Sequence, residues 1–167
     1  MDGRILFAAQ DGVHVLKFVG DVRVTLSPAI SGFLDRIGNC ASFQSVIIDL
    51  SETVGIDSTS LGLLARIAMR VDESFGAVPT IISTHENITR VLLSMGFDQV
   101  FFIVGECGEG FVSTSSAQEL PCRLVSESEI RQQVLDAHRA LMAMNDANHE
   151  TFIDLVNALE SEARSES

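Results

Sequence analysis

Residues 45–69, SVIIDLSETVGIDSTSLGLLARIAM, hold the strand-to-helix transition around which the rest of the chain is organised. Residues 45–50 are mostly apolar and rich in β-branched side chains, which is typical of a strand buried on both faces. After a short loop, the hydroxyl residues Ser58, Thr59 and Ser60 open an amphipathic helix. Backbone N–H groups and the helix dipole favour negative charge there, so the place suits a phosphate or a hydroxyl that receives one.

Outward from this stretch, the hydrophobic pattern predicts an α/β domain over residues 1–104. Strands and helices alternate after an initial strand pair, and this order predicts a largely parallel or mixed sheet with helices packed on it. The predicted strands lie at 5–9, 13–19, 45–50, 78–83 and 100–104, and the predicted helices at 27–37, 58–75 and 84–95.

The C-terminal third has a different composition. Residues 105–125 contain several glycines and a Ser-Thr-Ser-Ser run, and they predict a linker. Residues 126–163 predict an acidic helical extension, because Ser126 and Glu129 match a capping box that precedes apolar residues at coiled-coil spacing. Asn145 and its neighbours interrupt that spacing. The segment is either one kinked helix or a helical hairpin, and we expect two helices, since Asn and Asp are weak helix formers.

Charge and composition restrict the class of protein. The net charge is -12, with 7 basic and 11 acidic residues in 1–104 and 4 basic and 12 acidic residues in 105–167. Direct nucleic-acid binding needs clustered Lys and Arg side chains, so we do not expect it. The negative charge is explained either by solubility alone or by an acidic docking surface, and both explanations remain open. We expect no membrane segment and a cytoplasmic location, because no apolar run spans a bilayer and the start lacks a signal peptide.

Patterns for catalysis, cofactors and metals are missing from the sequence. The surroundings of Ser58 differ from the Gly-x-Ser-x-Gly turn of hydrolases, and His14, His85, His138 and His149 stand in no recognisable catalytic or metal-ligand context. No phosphate loop or dinucleotide fingerprint occurs. We therefore expect no enzymatic activity, no cofactor and no metal. By local physics alone, Ser58 is most simply interpreted as the N-cap of the helix.

The motif resembles that of STAS domains of the anti-sigma factor antagonist type. Their signature is an apolar strand, a loop, and Asp-Ser-Ser/Thr-Gly-Leu-Gly opening a helix, which is similar to Asp49-Leu50 followed by IDSTSLG at 56–62. Gly20-Asp21 before the first helix and Gly96-Phe97 closing the third are similar to further recurrent features of the family. The resemblance spans residues 5–104, and it implies a STAS-like mixed sheet followed here by a C-terminal helical extension.

The resemblance also implies a function. In that family the serine after the aspartate is phosphorylated by a serine kinase that doubles as an anti-sigma factor, and a PP2C-type phosphatase reverses the modification. Carried over by position, Ser58 is the acceptor and Thr59 the next candidate. The partner-binding residues are then Asp57, Ser58, Thr59, Ser60 and Gly62, although Ser60 stands where the family usually has glycine.

Two further hypotheses stay open. Some STAS subfamilies lack phosphorylation and act as scaffolds or regulatory subunits of transporters or signalling complexes, so Ser58 is only a structural residue in that alternative. The acidic C-terminal helices offer a second contact surface, for self-association or for another regulator.

Overall fold

The computed structural model describes residues 3–37, 43–105, 117–120 and 124–165. The described strands are β1 (Arg4–Gln10), β2 (Val13–Val22), β3 (Ser45–Ile56), β4 (Thr80–Ile82), β5 (Phe102–Val104) and β6 (Gln118–Glu119). The described α-helices are α1 (Ser27–Ile37), α2 (Ser58–Phe75), α3 (Glu86–Ser94), α4 (Glu127–Met144) and α5 (Asp146–Ser165), with short 3-10 helices at Val24–Leu26 and Phe97–Gln99.

The strands form one mixed sheet in the order β5-β4-β3-β2-β1-β6. β2, β3, β4 and β5 run parallel to one another, whereas β1 is antiparallel to both β2 and β6. The predicted fold class, a mixed sheet with helices packed on it and a C-terminal helical extension, is confirmed. β6 lies within residues 105–125 and pairs with β1, so part of the segment predicted as a linker joins the sheet.

The long parallel pair of β2 and β3 forms the centre of the sheet. β4 pairs only with Ile47, Ile48 and Asp49 of β3, so the second half of β3 extends past β4 beside β2 alone. This extension carries the chain from the buried centre of the sheet to the first residue of α2. The β2–β3 register is irregular near Val54, which is 68% exposed.

Glycine follows the ends of α2 and α3, as the sequence predicts. Gly76 follows α2 with φ 64°, and Gly96 follows the C-cap of α3 with φ 80°, both in the left-handed region that only glycine adopts freely. Phe97 after the second glycine is fully buried, as expected for the accompanying hydrophobic contact. The start of α3 differs from the prediction: the pattern predicts a cap at Thr84, whereas His85 occupies the N-cap position and contributes no side-chain cap.

The last two helices, residues 127–165, form a unit that we name the C-terminal hairpin. The Ser126 hydroxyl accepts a hydrogen bond from the backbone N–H of Glu129 at 3.2 Å, and extended backbone at Asn145 separates α4 from α5. The prediction of two helices is therefore confirmed. α4 packs on α2 and also contacts α1, and its Leu141 belongs to the same hydrophobic core as the sheet. None of the helices in the described ranges is long and apolar enough to cross a membrane.

The environment of His14 on β2 predicts a pH dependence of stability. Its ring lies 5.6 Å from Phe7 and 5.1 Å from Phe43, and burial, followed by the nearby charge of Arg36, lowers the pKa of His14 below its ordinary value of 6.5. The unfolded chain thus binds the proton more readily, so His14 should reduce the free energy of unfolding as the pH falls below 6.5.

We expect the substitution His14→Phe to flatten this part of the curve, because an aromatic ring stays in place and the titration is lost. Urea unfolding of both proteins from about pH 7.5 to about 5 measures the difference. His149→Gln on the exposed side of α5 is the control and should keep the slope of the parent protein. Parallel curves for parent and His14→Phe would contradict this assignment.

Candidate functional site

The aspartate before α2, not the serine after it, caps the helix. Asp57 has extended backbone, and its Oδ1 accepts a hydrogen bond from the backbone N–H of Ser60 at 2.8 Å. Ser58 is the first helical residue, so the interpretation of Ser58 as the N-cap is wrong. Aspartate is as good a cap as serine, and it leaves the Ser58 hydroxyl outside the capping interaction.

Asp57 also ties the start of α2 to the end of β2. Its Oδ2 accepts a hydrogen bond from the backbone N–H of Val24 at 2.8 Å, and its own backbone N–H donates to the carbonyl of Val22 at 3.1 Å. Two hydrogen bonds to the segment at the end of β2, together with the cap within α2, therefore fix the position of the helix N-terminus relative to the sheet. The Ser58 side chain is presented from a rigid support.

The Ser58 hydroxyl contacts the C-terminal hairpin. Its Oγ lies 2.9 Å from Nε2 of His138 on α4, a side chain that is only 2% exposed. Nδ1 of the same ring lies 2.7 Å from the carbonyl oxygen of Val134, which can only accept, so Nδ1 carries the proton. A neutral imidazole then has its lone pair at Nε2, and the Ser58 hydroxyl donates to it.

One helical turn further along, α2 and α4 approach each other at backbone distance. A Cβ atom at Gly62 would overlap the carbonyl oxygen of Ala137, so only glycine permits this approach. Residues 58 and 62 lie four positions apart and therefore on one side of α2. Their partners, Ala137 and His138, are consecutive on α4. The two contacts together place the hairpin directly over the first turns of α2.

The other predicted site residues lie deeper. Thr59 is 7% exposed and Ser60 is 1% exposed, whereas Asp57 and Ser58 are half-buried. The Ser60 hydroxyl has no hydrogen-bond partner among the described residues. The five predicted residues do lie together at the start of α2, and Ser58 is the most exposed of the three hydroxyl residues.

Sequence reasoning missed His138, because 80 residues separate it from Ser58 and it matches no motif. A weak signal was present in α2 itself. α2 carries buried apolar residues on two of its sides: Leu61, Ala65 and Ala68 on one side, and Leu63 and Ile67 on another. A helix with apolar residues on more than one face is covered on more than one side. The sequence of α2 thus indicated a second packing partner without identifying it.

The Ser58–His138 pair does not have the arrangement of a catalytic dyad. A backbone carbonyl orients His138, and a carbonyl stabilises a developing imidazolium less than the carboxylate of a triad does. The His138 ring is also only 2% exposed in this arrangement, which limits the access of a substrate to it. A surface cavity of about 200 Å³ lies elsewhere, between Ala68 in the second half of α2 and Val100. In the part of the chain that is described, no group of three His, Cys, Asp or Glu side chains could hold a metal ion.

Comparison with known proteins finds similarity at the level of structure. No protein-family model matches the sequence, and no curated protein matches it. Among solved structures, the anti-sigma factor antagonist SpoIIAA in its unphosphorylated form is 12% identical to this chain. The match covers 61% of this chain and 87% of the SpoIIAA chain, with a TM-score of 0.51. An anti-sigma factor antagonist from Mycobacterium paratuberculosis is 21% identical, and the match covers 63% of this chain and 87% of that protein's chain, with a TM-score of 0.51. The chain has the STAS-domain fold, with C-terminal helices added to it.

Proposed function

We propose that this STAS-fold chain is an anti-sigma factor antagonist whose binding is switched by phosphorylation of Ser58. In this proposal the unphosphorylated protein binds an anti-sigma factor or switch kinase in the bacterial cytosol, and a PP2C-type phosphatase restores that state. The chain acts as a binding module and not as an enzyme. The structural likeness to anti-sigma factor antagonists supports the fold on which the proposal rests.

The observation that carries the proposal is the position of the Ser58 hydroxyl. It stands at the first position of α2, is not used to cap the helix, and belongs to the most exposed of three neighbouring hydroxyl residues. Thr59, the next candidate, is buried and would need the helix start to open before a kinase could reach it. Ser58 is therefore the acceptor that a kinase reaches with the smaller rearrangement.

The chemistry of the modification fits the helix start better than it fits an interface. Oγ of Ser58 attacks the γ-phosphorus of ATP, the bond to ADP breaks, and the hydroxyl proton passes to a base of the kinase. The product carries about -1.5 to -2 charges. A helix N-terminus stabilises such a group by roughly 0.3–1 kcal/mol, whereas burying it against a partner without a cation costs several kcal/mol. The expected effect is release of the partner without unfolding.

The direct test is the intact mass of the protein isolated from its native cells. We expect a fraction of molecules that is heavier by one phosphate, which phosphatase treatment removes, and fragmentation should place the phosphate on Ser58. A strain carrying Ser58→Ala should lack the heavier fraction. A phosphate that persists in this strain would assign the acceptor elsewhere, with Thr59 the first residue to inspect.

Substitutions at Ser58 should separate the two states of the switch. We expect Ser58→Ala to capture the same partner from native cell extract as the unmodified protein, and Ser58→Asp to capture at least about tenfold less, because about 1.4 kcal/mol of unfavourable charge burial suffices for that factor. Ser74→Asp at the exposed end of the same helix is the matched control and should bind normally. Equal capture by Ser58→Asp and Ser58→Ala would contradict a switch at this residue.

The scaffold alternative draws support from a different observation. Ser58 already donates a hydrogen bond to His138, which gives it a structural role without any modification. In a constitutive binding module, that role is the only one. Absence of phosphate from Ser58 under all growth conditions, together with equal binding by Ser58→Asp, would favour this alternative.

A further inference from the structure

We propose that the C-terminal hairpin is a built-in competitor for the surface around Ser58. When docked, it covers the surface; when a partner binds, the partner displaces it and covers the same turns of α2. The partner's identity rests on the proposed function, whereas the closure of Ser58 by the hairpin does not. Regulation would then begin with release of the hairpin, before any phosphate is transferred.

The Ser58–His138 contact makes the docked hairpin and the phosphorylated serine mutually exclusive in their present geometry. The hydroxyl hydrogen directed at Nε2 of His138 is the one that phosphorylation replaces. In the present rotamer, a phosphoryl group bonded to Oγ would overlap the His138 ring, because Nε2 lies only 2.9 Å from Oγ. The docked hairpin thus protects Ser58 from a kinase, and a phosphate on Ser58 opposes redocking of the hairpin.

The hairpin is held at its ends by a small set of polar contacts. The Ser27 hydroxyl on α1 donates to Oε1 of Gln133 on α4 at 2.7 Å. At the turn of the hairpin, Nδ2 of Asn148 and Nδ2 of Asn145 donate to the carbonyl oxygen of Met95 at 2.8 and 3.3 Å. These side chains reach α1 and the end of α3, so the hairpin contacts the domain at two places besides α2.

Apolar burial decides what kind of partner can replace the hairpin. Leu141 and Phe152 belong to the main core, so undocking without a replacement would expose apolar surface on both sides. A competitor avoids that cost when it brings an apolar helix face of its own. It also needs a small residue opposite Gly62, because α4 meets that glycine at backbone distance. The replacement is therefore an amphipathic helix with Gly or Ala at its closest approach.

Charge favours such a partner over the hairpin. Residues 127–165 contain 3 basic and 8 acidic residues, and residues 1–104 contain 7 basic and 11 acidic residues, so the hairpin and the domain beneath it are both negative. A helix with basic residues on its flanks would be attracted to the negative net charge of the domain, whereas the hairpin carries a net charge of the same sign as the domain. The competitor that fits is a basic amphipathic helix.

The test measures access to position 58 in the full-length chain without any kinase. Ser58→Cys is introduced together with Cys40→Ser, so that the tryptic peptide 37–66 carries a single thiol, and its alkylation by iodoacetamide is followed by mass spectrometry. Asn148→Ala then loosens the hairpin, and Asn157→Ala, on the exposed side of α5, is the matched control. Gln133→Ala loosens the opposite end of the hairpin and serves if Asn148→Ala fails to fold.

We expect the thiol introduced at position 58 to react slowly in the parent, about tenfold faster with Asn148→Ala or Gln133→Ala, and at the parent rate with Asn157→Ala. A tenfold change corresponds to about 1.4 kcal/mol. One rate shared by all variants, or a parent rate equal to that of the urea-unfolded chain, would overturn the closure. If the loosened variants react faster but the protein carries no phosphate in cells, the hairpin covers position 58 and the phosphorylation switch is refuted. If all variants react at one rate but Ser58 is phosphorylated in cells, the switch stands and the covering of position 58 by the hairpin is refuted.

Discussion

Replacing Gly62 by alanine is expected to detach the C-terminal hairpin and to lower the free energy of unfolding by about 3 kcal/mol, at the upper end of the range for overpacked sites. The added Cβ would overlap the carbonyl oxygen of Ala137, a backbone atom that cannot move away by rotating a side chain. α4 must therefore shift as a whole, and the hydrogen bond between Ser58 and His138 lengthens with it. Hydrogen exchange should show lost protection in α4 and α5, with β2 and β3 still protected.

Gly32 on α1 offers the matched control for this substitution. A Cβ at Gly32 meets no atom within 4 Å. Gly32→Ala should then stabilise the protein by about 0.5–1 kcal/mol, because alanine loses less conformational freedom than glycine when a helix forms. Equal effects of the two substitutions would show that the close approach of α2 and α4 does not restrict residue 62.

Replacing Asp57 by alanine is expected to lower the free energy of unfolding by about 3 kcal/mol, because it removes two hydrogen bonds. It leaves in place the residues of α2 that contact the hairpin, Ser58 and Gly62. The two carboxylate oxygens of Asp57 accept from different backbone N–H groups, those of Ser60 and Val24, at 2.8 Å each. Loss of an N-cap costs about 0.5–2 kcal/mol, and loss of a second bond to a charged acceptor costs about 1.5–3 kcal/mol. Urea unfolding followed by circular dichroism measures the sum.

Asp57→Asn refines this prediction because an amide has one acceptor oxygen in place of two. It can keep the cap or the bond to Val24 but not both, so we expect roughly half the loss of Asp57→Ala. Asp72→Ala, on an exposed position of the same helix, should change stability by less than about 0.5 kcal/mol. A loss in Asp57→Ala no larger than in Asp72→Ala would refute the role of Asp57 as a clamp.

Local patterns predicted most of the fold because the physics that they report is local. The β-branched run that opens Ser45–Ile56 indicated a buried strand, and Gly76 and Gly96 ended their helices in the left-handed conformation that glycine adopts freely. The position of the hydroxyl cluster at the start of α2 followed from the same reasoning. The assignment of the cap failed because Asp57 and Ser58 are both good N-caps, and only the backbone angles distinguish them.

Long-range packing was beyond such reasoning. Nothing near His138 in the sequence indicates that it meets Ser58, since α4 presents an ordinary amphipathic pattern that fits many partners. The strand at Gln118–Glu119 was equally hidden, because two polar residues carry no periodic signal before they pair with β1. Features that depend on where a distant segment docks require the three-dimensional structure.

Because the hairpin and the domain beneath it are both negatively charged, the ionic strength of the solution should affect how firmly the hairpin is docked. The docked form joins two bodies of like charge through apolar contact and a few hydrogen bonds. Dissolved salt screens their repulsion and leaves the apolar contact intact, with a screening distance of about 8 Å at physiological concentration. High ionic strength should therefore favour the docked hairpin, and low ionic strength should loosen it, so the docking of the hairpin should depend on salt concentration.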